Sequence, residues 1–508
     1  MTAIADVVVV GGGTAGCVVA ARLVEAGRSV VLIEAGPDYG PRGLGAWPVD
    51  LLDAAALPTS HDWGYSGHGA GGQRIEYSRA RVLGGCSSHN GCTQTVGWAG
   101  DYDAWAPAGA GWSAAELAPL FAEAEAKLRL QRYSPDEVQP FHAAFLAACG
   151  ASGLAIVDDL GDLNGAAGAG CAAVNALPAP EGSRIRFNSA FAYLDPVRES
   201  PLLSVLAGAL VDRVILSAGR ARGVEVIGAH GRERVGAGEV VLCAGAYGTP
   251  EILLRSGVGP AHQLRRLDID VVADVPGVGE NLHDHPTVEL TFAGADRLAR
   301  ELELFAQTRW LPEEQSLAKL ASPGADGPYD LHIYPWVEPD QSVSSGWRVV
   351  VPISQLRPRS RGSIRLRSAD PEVQGIVDPR FLSDPEQHDL DSLVFGASAA
   401  EEILRRGELV DFIGDPLERR PRSGDDAFRS WTRRNHLHYW HPAGSCRMGA
   451  ERDPGGVVDF RGRLRGVNGL TIADASIFPD IPRATPALPT VVAAERIARV
   501  LCDSTASA

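Results

Sequence analysis

One stretch constrains the fold more than any other: DVVVVGGGTAGCVVAARLVEAGRSVVLIEAG, beginning at Asp6. Residues 6–10 are almost wholly apolar, the pattern of a parallel strand covered on both faces. Gly11, Gly13 and Gly16 follow as G-x-G-x-x-G. Ala15, Val18, Val19, Arg22 and Leu23 then fall at helical spacing over 15–25, and Gly27 can close that helix in a left-handed conformation. A second strand, SVVLIE, ends in Glu34. In such a unit the first glycine permits the tight turn, the second lets backbone approach a pyrophosphate, and the third lets helix pack on strand. Backbone N–H groups and the positive helix end would hold the phosphates. Glu34 is placed to accept hydrogen bonds from a ribose diol. The unit predicts a Rossmann-like α/β domain and a dinucleotide site, and does not separate FAD from NAD.

Composition narrows the class. The 508 residues are 45% hydrophobic and 22% charged, as in an ordinary soluble protein. That length suggests about three ordinary domains or two large ones. The longest apolar runs are strand-sized, well short of the ~20 residues of a membrane helix. A strand starting so soon after Met1 leaves no room for a secretion signal, and eight cysteines without a CxxC pair favour reduced thiols in a cytoplasmic protein. A net charge of −16 repels phosphate backbones and argues against nucleic acid as a partner. It suits a cationic small molecule, although solubility explains it equally well.

Along the chain, 40–110 is rich in Gly, Ser, Trp and Pro and reads as loop with short helices. Residues 114–127 and 137–152 read as helices. LLSVLAGALVDRVILSAGRARGVEVIG and RERVGAGEVVLCAGA alternate like strands. RVVVPISQL and GSIRLRSAD are strand-like, DLDSLVFGASAAEEILRR is a long amphipathic helix, LTIADAS is a strand, and a terminal helix covers about 489–502. No internal repeat or disordered linker is apparent.

Several distant stretches resemble the signatures of one family, the glucose–methanol–choline oxidoreductases: ARVLGGCSSHNGCTQTVGWAGDYDAWA (80–106), AGAYGTPEILLRSGVGP (244–260), VPGVGENLHDHP (275–286), RSRGSIRLRSADP (359–371), HPAGSCRMG (441–449) and GLTIADASIFPDIPRATPALPTVVAAERIA (469–498). With the amino-terminal unit, the resemblance runs from about residue 6 to 500 in the expected order. It implies FAD rather than NAD, and a Rossmann-like FAD-binding domain with an α+β substrate-binding domain built on an antiparallel sheet. The expected division is 1–155 as the first part of the FAD domain and 156–290 as its continuation with substrate-domain insertions. Residues 291–435 would be mainly substrate domain, and 436–508 the end of the FAD domain.

The same resemblance assigns cofactor-binding residues. These are Gly11, Gly13, Thr14, Ala15, Gly16, Glu34 and Ala35 in the first motif, and Arg81, Val82, Gly84, Gly85, Ser88, His89, Asn90 and Gly91 in the second. Val211 would lie against the adenine, with Ala244, Gly245, Asp474, Ala475 and Pro486 around the rest of the cofactor. From residue type alone, Val211 and Ala475 are equally readable as core. GGCSSHN resembles the choline oxidase-like branch, which implies a covalent bond from His89 to the flavin; a simple polar contact is the other reading. A histidine suits that bond because one ring nitrogen can attack while the other holds a hydrogen bond.

For the chemistry, the resemblance places His441 as the base that takes the hydroxyl proton of an alcohol while hydride passes to flavin N5. His438 reads as packing. His283 and His285, flanking Asp284, lack the further ligands of a metal site, and no metal is expected. Where family members place a second histidine or asparagine, an ungapped alignment sets Thr485, which can hydrogen-bond a substrate oxygen but cannot be protonated. Glu301, in ARELELFAQTRW, matches loosely the carboxylate expected to face a cationic substrate, and Tyr334 and Trp336 are candidate aromatic walls.

The implied enzyme is an FAD-dependent alcohol oxidase making an aldehyde, with dioxygen as acceptor and a choline-like amino alcohol as one candidate substrate. The alternatives are a dehydrogenase with another acceptor acting on neutral aromatic or sugar-derived alcohols, a non-redox hydroxynitrile lyase, an NAD enzyme, and an inactive FAD-binding protein. Oligomeric state is not legible.

Overall fold

Apolar runs from both halves of the chain converge on one sheet. The structure is a computed structural model and describes residues 5–180 and 182–503. Strand Ala5–Val10 lies at its centre, with Val7, Val8 and Val9 fully buried, between parallel strands Val30–Glu34 and Gly231–Leu242. Leu203–Ala207 extends the sheet beside Val30–Glu34, and Leu470–Ile472 extends it on the far side of Gly231–Leu242, both parallel. Strand Gly231–Leu242 serves two pairings: residues 231–236 pair antiparallel with Arg220–Gly228, and residues from Ala237 onward pair with Ala5–Val10.

Helix Thr14–Glu25 covers this sheet, and terminal helix Ala487–Asp503 packs on it. Arg22 reaches across to Glu495 at 2.7 Å, and the Glu495 carboxylate is almost wholly buried. The terminal helix starts earlier than expected because Pro489 sits in its first turn, where a missing N–H is tolerated. The helix expected from 137 begins instead at Pro140, after a separate turn, Pro135–Glu137, capped by Ser134.

The second sheet is antiparallel and eight-stranded. Its order is Ile413–Pro416, Pro286–Gly294, Trp347–Gln355, Leu331–Ile333, Ser316–Leu320 and Gly168–Cys171, with Trp336–Pro339 and Leu437–His438 at its sides. One face, carrying Leu290, Ala318, Ile333, Val351 and Ile353, packs into a core with helix His388–Leu404. Gly396 permits the close approach, since a Cβ there would stand 2.5 Å from the Ile353 side chain. The alternate residues of these strands, among them His332 and Ser354, lie on the other face.

This is the expected α/β class with a parallel and an antiparallel sheet. GSIRLRSAD yields only the short strand Ser363–Arg365, and the glycine-rich 40–110 region holds an unforeseen hairpin, Tyr65–His68 with Arg74–Tyr77. Among the described residues no helix is long and apolar enough to cross a membrane. The expectation about a leader turns on Met1, which lies outside the described residues.

Candidate active site

A cavity of about 1000 Å³ runs from the glycine turn at Gly11 to His441. Its phosphate-sized end is dictated by backbone contact. A Cβ on Gly16 would stand 1.8 Å from the Gly11 carbonyl oxygen, and one on Gly11 (φ 93°) would stand 2.6 Å from that of Cys243. Gly16 therefore packs helix on turn and does not itself line the cavity, whereas Gly11, Gly13, Thr14 and Ala15 do. Gly13 caps the helix without any side-chain acceptor, so its first N–H groups remain for an anion. Glu34 lines the cavity beside Ala35 and accepts the Gly12 and Gly36 N–H groups at 2.9 and 2.8 Å. Burial pushes its carboxyl up to about 7.

The second glycine loop meets the first. Gly85 (φ 55°) has no room for a side chain because its Cβ would lie 2.5 Å from Gly13 Cα. Gly85, Arg81, His89, Asn90 and Gly91 line the cavity. Val82, Gly84 and Ser88 do not: Val82 is fully buried beneath the loop, and Ser88 Oγ donates to the Leu83 carbonyl. The side chains of Val82 and Ser88 support this loop from behind, and Gly16 and Gly84 give it close packing. The Arg81 guanidinium lies 4.7 Å from the centre of the Trp63 ring. His89 Nε2 donates to the Ser60 carbonyl at 2.6 Å. Val211, Ala244, Gly245, Asp474, Ala475 and Pro486 complete the wall. Asp474 accepts the Gly245 N–H at 2.8 Å and the Thr249 hydroxyl at 2.6 Å.

His441 is half-buried on the cavity wall. Its backbone N–H donates to Asp284 Oδ1 at 2.9 Å, and its Nδ1 lies 2.9 Å from His285 Nδ1. Burial, then the neighbouring His285 and Arg79, hold its pKa well below the usual imidazole value, so the ring is neutral. Trp440 immediately before it has φ 59°, a costly conformation for a bulky residue. It is held there by an N–H bond to His438 Nδ1 and by Arg79 donating to its carbonyl.

The NLHDHP stretch therefore lies behind His441 and not on the cavity. Asp284 also faces His438 at 3.4 Å, and His283 Nδ1 donates to the Asn281 carbonyl. Among the described residues no group of His, Cys, Asp and Glu is arranged to hold a metal. Thr485 lines the cavity, but its hydroxyl is committed, accepting the Thr95 N–H at 3.1 Å and lying 3.2 Å from the Thr93 carbonyl.

Glu301 needs correction. It sits on the outer side of helix Asp296–Ala306, paired with Arg297 at 2.6 Å, away from the cavity. The cavity carboxylate is Glu314, which the sequence reading passed over. Tyr334 donates to it, and Thr93 bonds to the Tyr334 hydroxyl. Burial pushes Glu314 up to about 7. Trp336 lines the same wall, and Tyr439, 6.5 Å from Tyr334 and 4.5 Å from His441 between ring centres, joins the carboxylate end to the base.

A dinucleotide cradle opening onto a neutral, anchored imidazole is the arrangement of a dinucleotide-dependent oxidoreductase. The chain belongs to the GMC oxidoreductase family, whose pattern matches residues 5–287 and 358–494. It is an FAD-dependent oxidoreductase acting on alcohol CH–OH groups. It is 32% identical to choline oxidase of Arthrobacter globiformis, covering 98% of this chain and 94% of that one. Human mitochondrial choline dehydrogenase is likewise 32% identical, over 97% and 89% of the two chains. Among solved structures, pyridoxine 4-oxidase from Mesorbium loti superposes with a TM-score of 0.84 at 28% identity, covering 98% of this chain and 99% of that one.

Proposed function

We propose that this protein oxidises a small primary alcohol bearing a cationic nitrogen to the aldehyde, with His441 as base and dioxygen as final acceptor. The observation that carries the reading is His441: a neutral imidazole on the wall of the same cavity as the glycine turn, its Nδ1 already bonded to His285. That leaves Nε2 to take the hydroxyl proton. FAD fits the cradle, with Gly11, Gly13, Thr14 and Ala15 at its pyrophosphate, Glu34 at a ribose, Val211 at the adenine, and Gly85, Asn90, Gly91, Ala244, Gly245, Asp474, Ala475 and Pro486 around the remainder. When bound, it supplies the hydride acceptor. Thr485, its hydroxyl already spent on the segment 93–95, positions the start of the terminal helix. Eight cysteines without a CxxC pair suit a reducing compartment such as the cytoplasm.

Glu314 takes over the role expected of Glu301. With Tyr334 and Trp336 beside it, the anionic carboxylate and aromatic faces suit an ammonium or pyridinium group. The named activities of choline oxidase and pyridoxine 4-oxidase, both on nitrogen-bearing alcohols, agree with that choice. Glu314→Gln is expected to lower kcat/KM for choline about 30–150-fold, or 2–3 kcal/mol, and far less for the isostere with carbon in place of nitrogen. In the wild type the carboxylate forms as pH rises through its raised value near 7. Preference for the cation over the isostere should therefore climb between about pH 6 and 8. Equal pH profiles for the two alcohols would remove Glu314 from recognition.

His89 is also assigned a covalent bond to the flavin. Its Nε2 is occupied by the Ser60 carbonyl, which leaves the Nδ1 lone pair as the nucleophile. Acid precipitation of the wild type should keep the yellow colour in the pellet, and His89→Ala should release it. Colour in the wild-type supernatant excludes the bond.

A further inference from the structure

Behind His441 the antiparallel sheet carries a polar row that cofactor and substrate contacts leave unexplained. Strand register sets Lys319 opposite His332, His332 opposite Ser354, and Ser354 opposite Thr287. Directly opposed residues of antiparallel strands share a face. His285 stands two residues before Thr287 and bonds to His441. All five side chains belong to residues no more than 1% exposed, and the Thr287 and Ser354 hydroxyls are 2.7 Å apart. The His285 and His332 rings flank Tyr439 at 6.4 and 6.3 Å between centres.

Neither nitrogen of His332 has a hydrogen-bond partner. A buried polar atom left without a partner is costly, and in proteins ordered water ordinarily relieves it. At the far end, Lys319 donates to the Leu160 carbonyl at 2.8 Å and lies 4.8 Å from the centre of the Tyr329 ring. Burial lowers its ammonium to about 8, with the exposed Asp159 and Asp162 acting in the opposite sense. The titratable groups facing the row are thus Tyr329 and Tyr439 along it, Asp284 and His283 beside His285, and those two aspartates at its outer end. A packed core has no use for a buried lysine, two histidines and two hydroxyls in line; proton movement does.

We propose that this row conducts protons between His441 and solvent, through His285, the Thr287–Ser354 hydroxyl pair, His332 and Lys319, to the loop bearing Asp159 and Asp162. The proposal rests on the alcohol-oxidation reading. Each alcohol oxidised gives up a hydride, carrying two electrons, and one hydroxyl proton, which arrives at His441 Nε2. His441 then passes its Nδ1 proton to His285, and one proton emerges at the far end of the row. When dioxygen is reduced to hydrogen peroxide, it gains the hydride's electrons and hydrogen together with the Nε2 proton. The row carries one proton back to Nδ1, and the cycle closes.

The test mixes holoenzyme anaerobically with choline or pyridoxine in weakly buffered solution containing a pH indicator, following flavin bleaching and acidification together. In the wild type, one proton per flavin should appear at the bleaching rate. In Lys319→Met and in His332→Gln, the ratio of proton-release rate to bleaching rate should fall about tenfold or more. Glutamine keeps the polarity and much of the volume of histidine but cannot titrate, so His332→Gln serves if Lys319→Met does not fold. An unchanged ratio in the folded variants overturns the row. If neither alcohol bleaches the wild type, the alcohol reading fails and the row's role goes with it.

Discussion

His441→Ala should lower kcat by about 10²–10⁴-fold, the usual loss when a positioned base is removed, while flavin content stays at the wild-type level. The separation follows from the geometry. His441 faces the cavity, but the cradle is made by the glycine turns and Glu34 on other elements. The substitution also leaves its backbone N–H free to keep the bond to Asp284, so the loop should hold its course. Steady-state kinetics and the absorption spectrum check both halves. A variant that turns over a good substrate at the wild-type rate would remove the imidazole from the chemistry.

The second large effect is structural. Gly16→Ala should yield protein with little or no flavin and a lowered unfolding midpoint, because the new methyl would stand 1.8 Å from a backbone oxygen. Extra methylenes forced into a well-packed core cost about 1–3 kcal/mol. Here the clash is with the turn itself, so helix and turn must part and the phosphate end of the cradle opens. The check is flavin per protein after purification. A fully yellow variant would show that close packing at residue 16 does not form the cradle.

The amino-terminal unit was legible because strand, turn and helix each leave a local pattern, and Gly11, Gly13 and Glu34 stand where that pattern puts them. The loop of His89 and the loop of His441 were legible through residue order. What the sequence hid was depth. Val82 and Ser88 are neighbours of cavity residues, yet their side chains are buried behind the wall. Glu301 and Glu314 are both glutamates near aromatic residues; only the fold turns one outward to Arg297 and the other inward to Tyr334. Asp284, read among possible ligands, anchors His441 from the loop before strand Pro286–Gly294, far away in sequence. The row from Lys319 to Thr287 exists only through strand register, which no local pattern reports.

Anaerobic mixing of the purified protein with a panel of primary alcohols, cationic and neutral side by side, bears most directly on the central claim. An imidazole beside a flavin site should let a cationic alcohol bleach the yellow colour with one aldehyde formed per flavin, and His441→Ala should slow that bleaching by orders of magnitude. A flavin that stays oxidised with every alcohol, or that bleaches equally fast without the imidazole, would contradict it.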